Sequence, residues 1–137
     1  ISGVVAYSYI QRFACSYNVH KCLVLVKDAK IIIFGITFKE NCPDIRNTKV
    51  VDICHTLNEF TDNITIYDPW ADVDLVKKEY DIDITNTLPE NELFDAAILA
   101  VAHKEFLNTD LKRLMKENSV IYDVKGILDR AIVDGRL

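Results

Sequence analysis

Lys30-Ile31-Ile32-Ile33-Phe34-Gly35 is the stretch that decides the fold. Its four central residues are all β-branched or aromatic, with no polar alternation and a glycine at the end. That pattern belongs to a strand buried on both faces of a parallel sheet. Downstream, Asn63-Ile64-Thr65-Ile66-Tyr67, Asp95 to Val101 and Ser119-Val120-Ile121-Tyr122-Asp123 read as further strands. Ile82-Asp83-Ile84 alternates and is short, which suits a strand at or near an edge. Between them lie segments of helical spacing. Thr48 to Phe60 carries Val50, Val51, Cys54, Leu57 and Phe60, with Asn47 or Thr48 as N-cap. Ala71 to Tyr80 reads as a short helix, and Asn108 to Glu117 as another, with Leu111 and Leu114 on one face. Upstream, Asp28-Ala29 reads as a turn, and residues 1–26 space Val5, Tyr9, Phe13 and Ala14 as one or two helices would. The tail from Gly126 to Leu137 reads as a loop with a helical turn at most.

Strands alternating with helices imply βαβ units. The expected fold is a three-layer α/β/α domain, Rossmann-like, with a five-stranded parallel sheet of order 3-2-1-4-5. Open sheets of this kind bind ligands beyond the carboxyl ends of the strands, where the winding reverses. Here that place falls between the first and fourth strands. The loops that would meet there run from Ile36 to Arg46 and from Ala102 to Phe106, with Val124 to Leu128 beside them.

Composition narrows the function classes. The chain has 137 residues, half of them hydrophobic, which fits one compact domain. Its most apolar opening stretch, Ile1 to Ile10, ends at Gln11 and Arg12, well short of the roughly 18 residues of a membrane span. No basic segment precedes it, which argues against a secretory signal. The absence of an initial Met suggests a fragment or processed product. Sixteen basic against twenty-one acidic residues give a charge of −5, which disfavours a general nucleic-acid or membrane-surface binder. Cys15, Cys22, Cys42 and Cys54 form no C-x-x-C pair and the three histidines are scattered, so no metal site is expected. Reduced thiols in a cytoplasm are the simpler reading.

The loop Gly35-Ile36-Thr37-Phe38-Lys39-Glu40-Asn41-Cys42-Pro43-Asp44-Ile45-Arg46 offers an aromatic ring and two cations at the switch point. An aromatic can stack on a base or cover a sugar, and Lys39 and Arg46 can meet phosphate or carboxylate oxygens. That equipment suits a nucleotide-sugar. The plainer alternative makes Phe38 a core residue and leaves Lys39 and Arg46 solvated or paired with Asp44.

The string Gly-x-Thr-Phe-Lys-Glu-Asn-x-x-Asp-x-Arg-Asn-Thr-Lys-Val-Val-Asp-Ile, from Gly35 to Ile53, resembles the signature that opens the C-terminal domain of the UDP-glucose/GDP-mannose dehydrogenase family. Tyr67-Asp68-Pro69-Trp70-Ala71, Ala100-Val101-Ala102-His103-Lys104-Glu105-Phe106 and Tyr122-Asp123-Val124-Lys125-Gly126 extend the resemblance in family order from about Ile31 to Leu128. It is closest to the branch that oxidises UDP-N-acetylhexosamines for bacterial surface polysaccharides. The resemblance implies that Phe38, Lys39 and Lys125 contact a UDP-sugar, the last at a position often held by arginine. It implies that Arg46 faces an NAD cofactor across a domain cleft, that Asp44 orients the loop or pairs with Arg46, and that His103 contacts ligand or is a loop or cap histidine. Trp70 reads as packing for the helix after the second strand. Residues 1–27 would be a helical remnant of the linker and central dimerisation region, and 28–137 the C-terminal UDP-sugar-binding domain of a homodimeric, cytoplasmic enzyme.

Two family parts have no counterpart here. With glycines only at 3, 35, 126 and 135, no G-x-G-x-x-G fingerprint exists. No cysteine lies in a Gly-Gly-x-Cys setting, so none matches the family thiol that carries the covalent intermediate between two hydride transfers to NAD. The cysteines read as structural or incidental, and the chain alone is not expected to oxidise a sugar. Two other readings of the fold compete. A receiver-like signalling domain would need an acidic pair ending the first strand, which instead ends Phe34-Gly35-Ile36-Thr37. A free-standing α/β nucleotide-binding or regulatory module reusing the fold stays open.

Overall fold

The computed structural model describes residues 27–136. The helical segment expected over residues 1–27, and with it Cys15 and Cys22, falls outside them but for Lys27. Five strands form one parallel sheet: β1 (Ile31–Phe34), β2 (Ile64–Tyr67), β3 (Phe94–Leu99), β4 (Met115–Asp123) and β5 (Gly135–Arg136), in the order β2-β1-β3-β4-β5. Three complete α-helices are described, α1 (Val50–Asn58), α2 (Val73–Tyr80) and α3 (Lys104–Leu107), and Lys27 and Asp28 are helical too, where the sequence predicts a turn at Asp28-Ala29.

β1 is the central strand, fully buried and paired with β2 on one side and β3 on the other. Its alternation divides the core. Ile31 and Ile33 face a cluster with Val50, Ile53, Cys54 and Leu57 of α1 and Val76 of α2. Ile32 and Phe34 face Phe106 of α3, Leu111, Leu114 and Leu128. A continuous apolar run is what two covered faces require. Phe34, Tyr67 and Phe106 meet edge-on or tilted, with centroids 5.3–5.9 Å apart.

The expected parallel α/β/α architecture and the reversal beside the first strand are present, with local differences. Ile82–Ile84 is not a strand. Its chain touches β2 only at Thr85, which bridges Tyr67, while Ile82 turns into the core. The fifth sheet strand lies instead at the opposite edge. Gly135–Arg136, expected as loop, pairs with Tyr122 and Asp123, held by Asp134, whose N–H donates to the Ile121 carbonyl. The helix expected over 108–117 is a 3-10 turn at Leu111–Leu114, and the short helix α3 lies before it. Leu111 and Leu114 do share a buried face, but a spacing of three satisfies a 3-10 turn as well as an α-helix. Met115, expected in that helix, pairs with Phe94 and begins β4. At α1 the cap residue is Lys49, without a side-chain bond, while the Thr48 hydroxyl accepts the Val50 N–H at 3.3 Å.

Candidate functional site

Phe34 stands level with Tyr67 and with Leu99, and Leu99 with Asp123, so the loops leaving β1 to β4 emerge along one edge. Between β1 and β3, at the switch of winding, the two chains nearly touch. Gly35 has φ +93°, and a Cβ there would lie 2.4 Å from Val101 Cβ. The Ala100 and Val101 N–H groups both donate to the Phe34 carbonyl.

One fully buried carboxylate, Asp68, organises three of the loops. Its Oδ2 accepts the N–H groups of Ile36 (2.7 Å) and Thr37 (3.1 Å) and lies 3.1 Å from His103 Nε2. Its Oδ1 accepts the N–H groups of Trp70 (2.8 Å) and Ala71 (3.1 Å). Burial opposes ionisation of Asp68, yet the bonds from His103 and the backbone outweigh it and hold the carboxyl below its ordinary value. Asn86 supports the same turn from outside, donating to the Asp68 and Ala71 carbonyls.

His103 is 0% exposed. Its Nδ1 accepts the Asn41 N–H at 2.9 Å, so the ring proton sits on Nε2, which faces Thr37 Oγ1 (3.1 Å) and Asp68. The structure thus places His103 beneath the surface with both nitrogens engaged, not at a ligand-facing position. Trp70, expected as packing for α2, lies instead over the β3 loop. Its ring stacks on His103 with centroids 6.2 Å apart, Lys104 Nζ stands 5.5 Å over it, and its Nε1 donates to Glu105.

Above this network the β1 loop reaches solvent. Phe38 is 59% exposed, against the core alternative, and Lys39 is exposed with no side-chain hydrogen bond or ion pair among the described residues. The Phe38 N–H donates to the Asp44 carbonyl at 2.7 Å, closing the loop on itself. Farther along, Ile45 is buried and its carbonyl accepts the Tyr80 hydroxyl at 2.6 Å. The Arg46 guanidinium grips Asp44 through two N–H donors at 2.9 and 2.8 Å, with the arginine side chain 84% exposed. Those bonds and the Arg46 N–H hold the Asp44 carboxyl down to about 2. Cys42 is half-buried; Cys54 is a core residue whose thiol burial pushes up to about 12.

Lys125 is exposed on the loop after β4, at the same edge but separated from the β1 loop by the β3 loop. That loop repeats the Asp68 device. Buried Asp123 accepts the N–H groups of Lys125, Gly126 and Leu128. The structure therefore gathers Phe38, Lys39, Asp44 and Arg46 on one loop, sets Lys125 on another and puts His103 below both. Sequence reasoning gave no role to Asp68, Asp123, Thr37 or Asn41. The available signal was an aspartate at the end of a strand or directly after it, in Tyr67-Asp68 and Tyr122-Asp123, where a carboxylate can accept the amides of the turn.

The arrangement can present an aromatic face and cations to an anionic ligand. It does not fit the pyrophosphate of a dinucleotide. The amides at the end of β1, which would cradle it, are taken by Asp68, and the glycine there serves close packing against Val101. Among the described residues no His, Cys, Asp and Glu cluster is placed to hold a metal, and no helix is long and apolar enough to cross a membrane.

Fold and loop edge together define a doubly wound α/β domain of the nucleotide-recognising class. The model of the UDP-glucose/GDP-mannose dehydrogenase family, UDP binding domain, matches residues 32–130, and the chain belongs to that family. It is 44% identical over 115 residues to a UDP-N-acetyl-D-glucosamine 6-dehydrogenase of Pseudomonas aeruginosa, covering 82% of this chain and 27% of that protein. It is 39% identical over 106 residues to the protein CapL of Staphylococcus aureus, covering 76% and 25%. Among solved structures, the UDP-N-acetyl-mannosamine dehydrogenase Cap5O of S. aureus shares the fold, with a TM-score of 0.66 at 20% identity over 93% of this chain and 27% of that one. The chain spans about a quarter of the length of these relatives.

Proposed function

We propose that this chain is the UDP-recognising domain of an NAD-dependent UDP-sugar 6-dehydrogenase. The reaction would convert a UDP-N-acetylhexosamine, or UDP-glucose, to the uronic acid for surface-polysaccharide synthesis in the cytoplasm. Similarity to UDP-N-acetyl-D-glucosamine and related dehydrogenases supports the reaction class. The observation that carries the site is the exposure of Phe38 and Lys39 on a loop anchored at the switch point. Phe38, Lys39 and Lys125 would meet the UDP-sugar. Arg46, with Asp44 orienting it, would face the cofactor, whose pyrophosphate the rest of a longer, homodimeric polypeptide would hold.

On this reading the domain binds and positions and does no hydride chemistry. Contacts to the uridine diphosphate, remote from the reacting carbon, would fix that carbon against groups supplied by the remainder of the protein. Lys39 brings a compact charge suited to a diphosphate oxygen, and an exposed aromatic ring can stack on a base at little ordering cost.

Calorimetric titration of the chain with UDP, UDP-glucose, UDP-N-acetylglucosamine and UDP-N-acetylgalactosamine tests the reading. Saturable, UDP-dependent binding is expected, weakened by about 1–3 kcal/mol in Lys39→Ala, the value of a hydrogen bond to a charged group. A folded chain that binds none of the four, or a Lys39→Ala variant that binds them all as before, overturns it.

A further inference from the structure

Resting on that reading, we propose that His103 is a positioning residue for the nucleotide contact. It never touches the ligand, but its imidazole clasps both ends of the loop tip that carries Phe38 and Lys39. The tip is three residues long, Phe38 to Glu40, and all three are exposed. The residues that flank it, Thr37 and Asn41, are bound to the two nitrogens of one ring.

Each nitrogen has a distinct task. Nδ1, unprotonated, accepts the Asn41 N–H at 2.9 Å. Nε2 carries the proton and faces Thr37 Oγ1 and Asp68 Oδ2, both at 3.1 Å. The Thr37 hydroxyl has already given its own proton to the Lys39 carbonyl at 3.0 Å, so a lone pair is what it turns to the imidazole. A hydrogen-bonded chain thus runs from His103 through Thr37 to the backbone of Lys39 itself. On the far side Asn41 adopts φ +52°, uncommon for a residue with a side chain, and its Oδ1 accepts the Lys104 N–H at 2.9 Å. That second tie holds the tip to the segment that bears the histidine.

The faces of the ring are covered by aromatic side chains. His103 is wholly buried, edge-on to Phe106 at 5.2 Å and stacked on Trp70. A polar ring in such a place is costly unless both nitrogens are satisfied. Here Nδ1 is satisfied by Asn41 and Nε2 by Thr37 and Asp68, so the ring ties both flanks of the tip to the β2 loop and fixes the path of Phe38 and Lys39 before any ligand arrives. Preorganisation of this kind raises affinity by removing an ordering cost from the binding step.

Two amide variants each keep one end of the clasp and release the other. The amide oxygen of His103→Asn can replace Nδ1 and keep the Asn41 bond; the amide nitrogen of His103→Gln can replace Nε2 and lose it. Hydrogen exchange of the chain without ligand reads the clasp directly. The Asn41 amide should exchange slowly in the wild type and in His103→Asn, and fast in His103→Gln. Calorimetry with UDP should then show a Kd raised about tenfold or more in His103→Gln, the scale of one well-placed hydrogen bond, and raised in His103→Asn as well, because that variant keeps the Asn41 bond but loses those to Thr37 and Asp68. Thermal unfolding of both variants accompanies the series. The proposal fails if a folded His103→Gln protects Asn41 as the wild type does. It also fails if both variants lose affinity equally and in step with their melting temperatures. If wild-type Asn41 is protected and released in His103→Gln but UDP does not bind the wild type, it is the functional reading that fails.

Discussion

Gly35 and Gly126 both have positive φ, yet they are not equivalent. At Gly35 a methyl group would press on Val101 Cβ, Cγ2 and backbone N, none of which can swing aside. At Gly126 the nearest atom, 3.3 Å away, is the Nη2 end of the flexible Arg136 side chain. Gly35→Ala is therefore expected to cost about 2–4 kcal/mol, from backbone strain plus overpacking, and Gly126→Ala only about 1 kcal/mol. Denaturant unfolding of the two variants checks the contrast; equal losses would contradict it. Asp44 offers a second test. Its pairing with Arg46 holds its carboxyl at about 2, so a carboxyl-carbon NMR titration should give a midpoint near there. In Arg46→Ala the midpoint should return toward 3.8, the ordinary value. Because the folded value is depressed, whatever the pair contributes is present above 3.8 and lost as pH falls through about 2. The pair is exposed, so its contribution to stability is small.

Among the elements, α2 shows how local chemistry sets boundaries. Asp72 caps it by accepting the Leu75 N–H at 2.9 Å, and Asp81 closes it in the left-handed conformation. Removing the cap in Asp72→Ala should cost about 1 kcal/mol in denaturant unfolding, with no change in the value if Asp72 is replaced by Ser or Asn. The helix matters beyond itself, because its last residue, Tyr80, holds the Ile45 carbonyl and so the far end of the β1 loop. Apolar spacing begins this helix at Ala71 and marks no cap for it; the structure starts it at Val73, behind Asp72. The cross-link from Tyr80 to Ile45 was not legible either, since it joins residues 35 apart in sequence.

Across the whole domain, the carboxylate of Asp68 fastens three loops with five N–H donors. Asp68→Asn swaps one acceptor oxygen for a donor among donors, and should destabilise the fold by roughly 3 kcal/mol. The acid limb of stability follows the same group. Its folded value is lowered, so its stabilising contribution is complete above the ordinary 3.8 and lost as pH falls through the folded value. Measured from neutral pH downward, the wild type should lose stability in that acid range and Asp68→Asn should lose less. Parallel curves for the two would show that another carboxylate governs acid unfolding.

By itself the sequence determined the central strands and the reversal of winding beside the first, because a four-residue apolar run such as Ile31–Phe34 can be satisfied only by burial on both faces. It also marked the loop after β1 as the place of interest, since Phe38, Lys39 and Arg46 stand where a strand has just ended. Local pattern could not supply the third strand's collapse to a single bridge at Thr85, or the pairing of Gly135–Arg136 with β4. Those depend on what lies alongside. Tertiary structure alone decided the part played by His103, because the partners of its two nitrogens, Asn41 and Asp68, come from loops 62 and 35 residues away. Hydrogen bonds across such separations leave no periodicity in a sequence, and only the folded sheet, by bringing three strand ends level, lets one imidazole meet them.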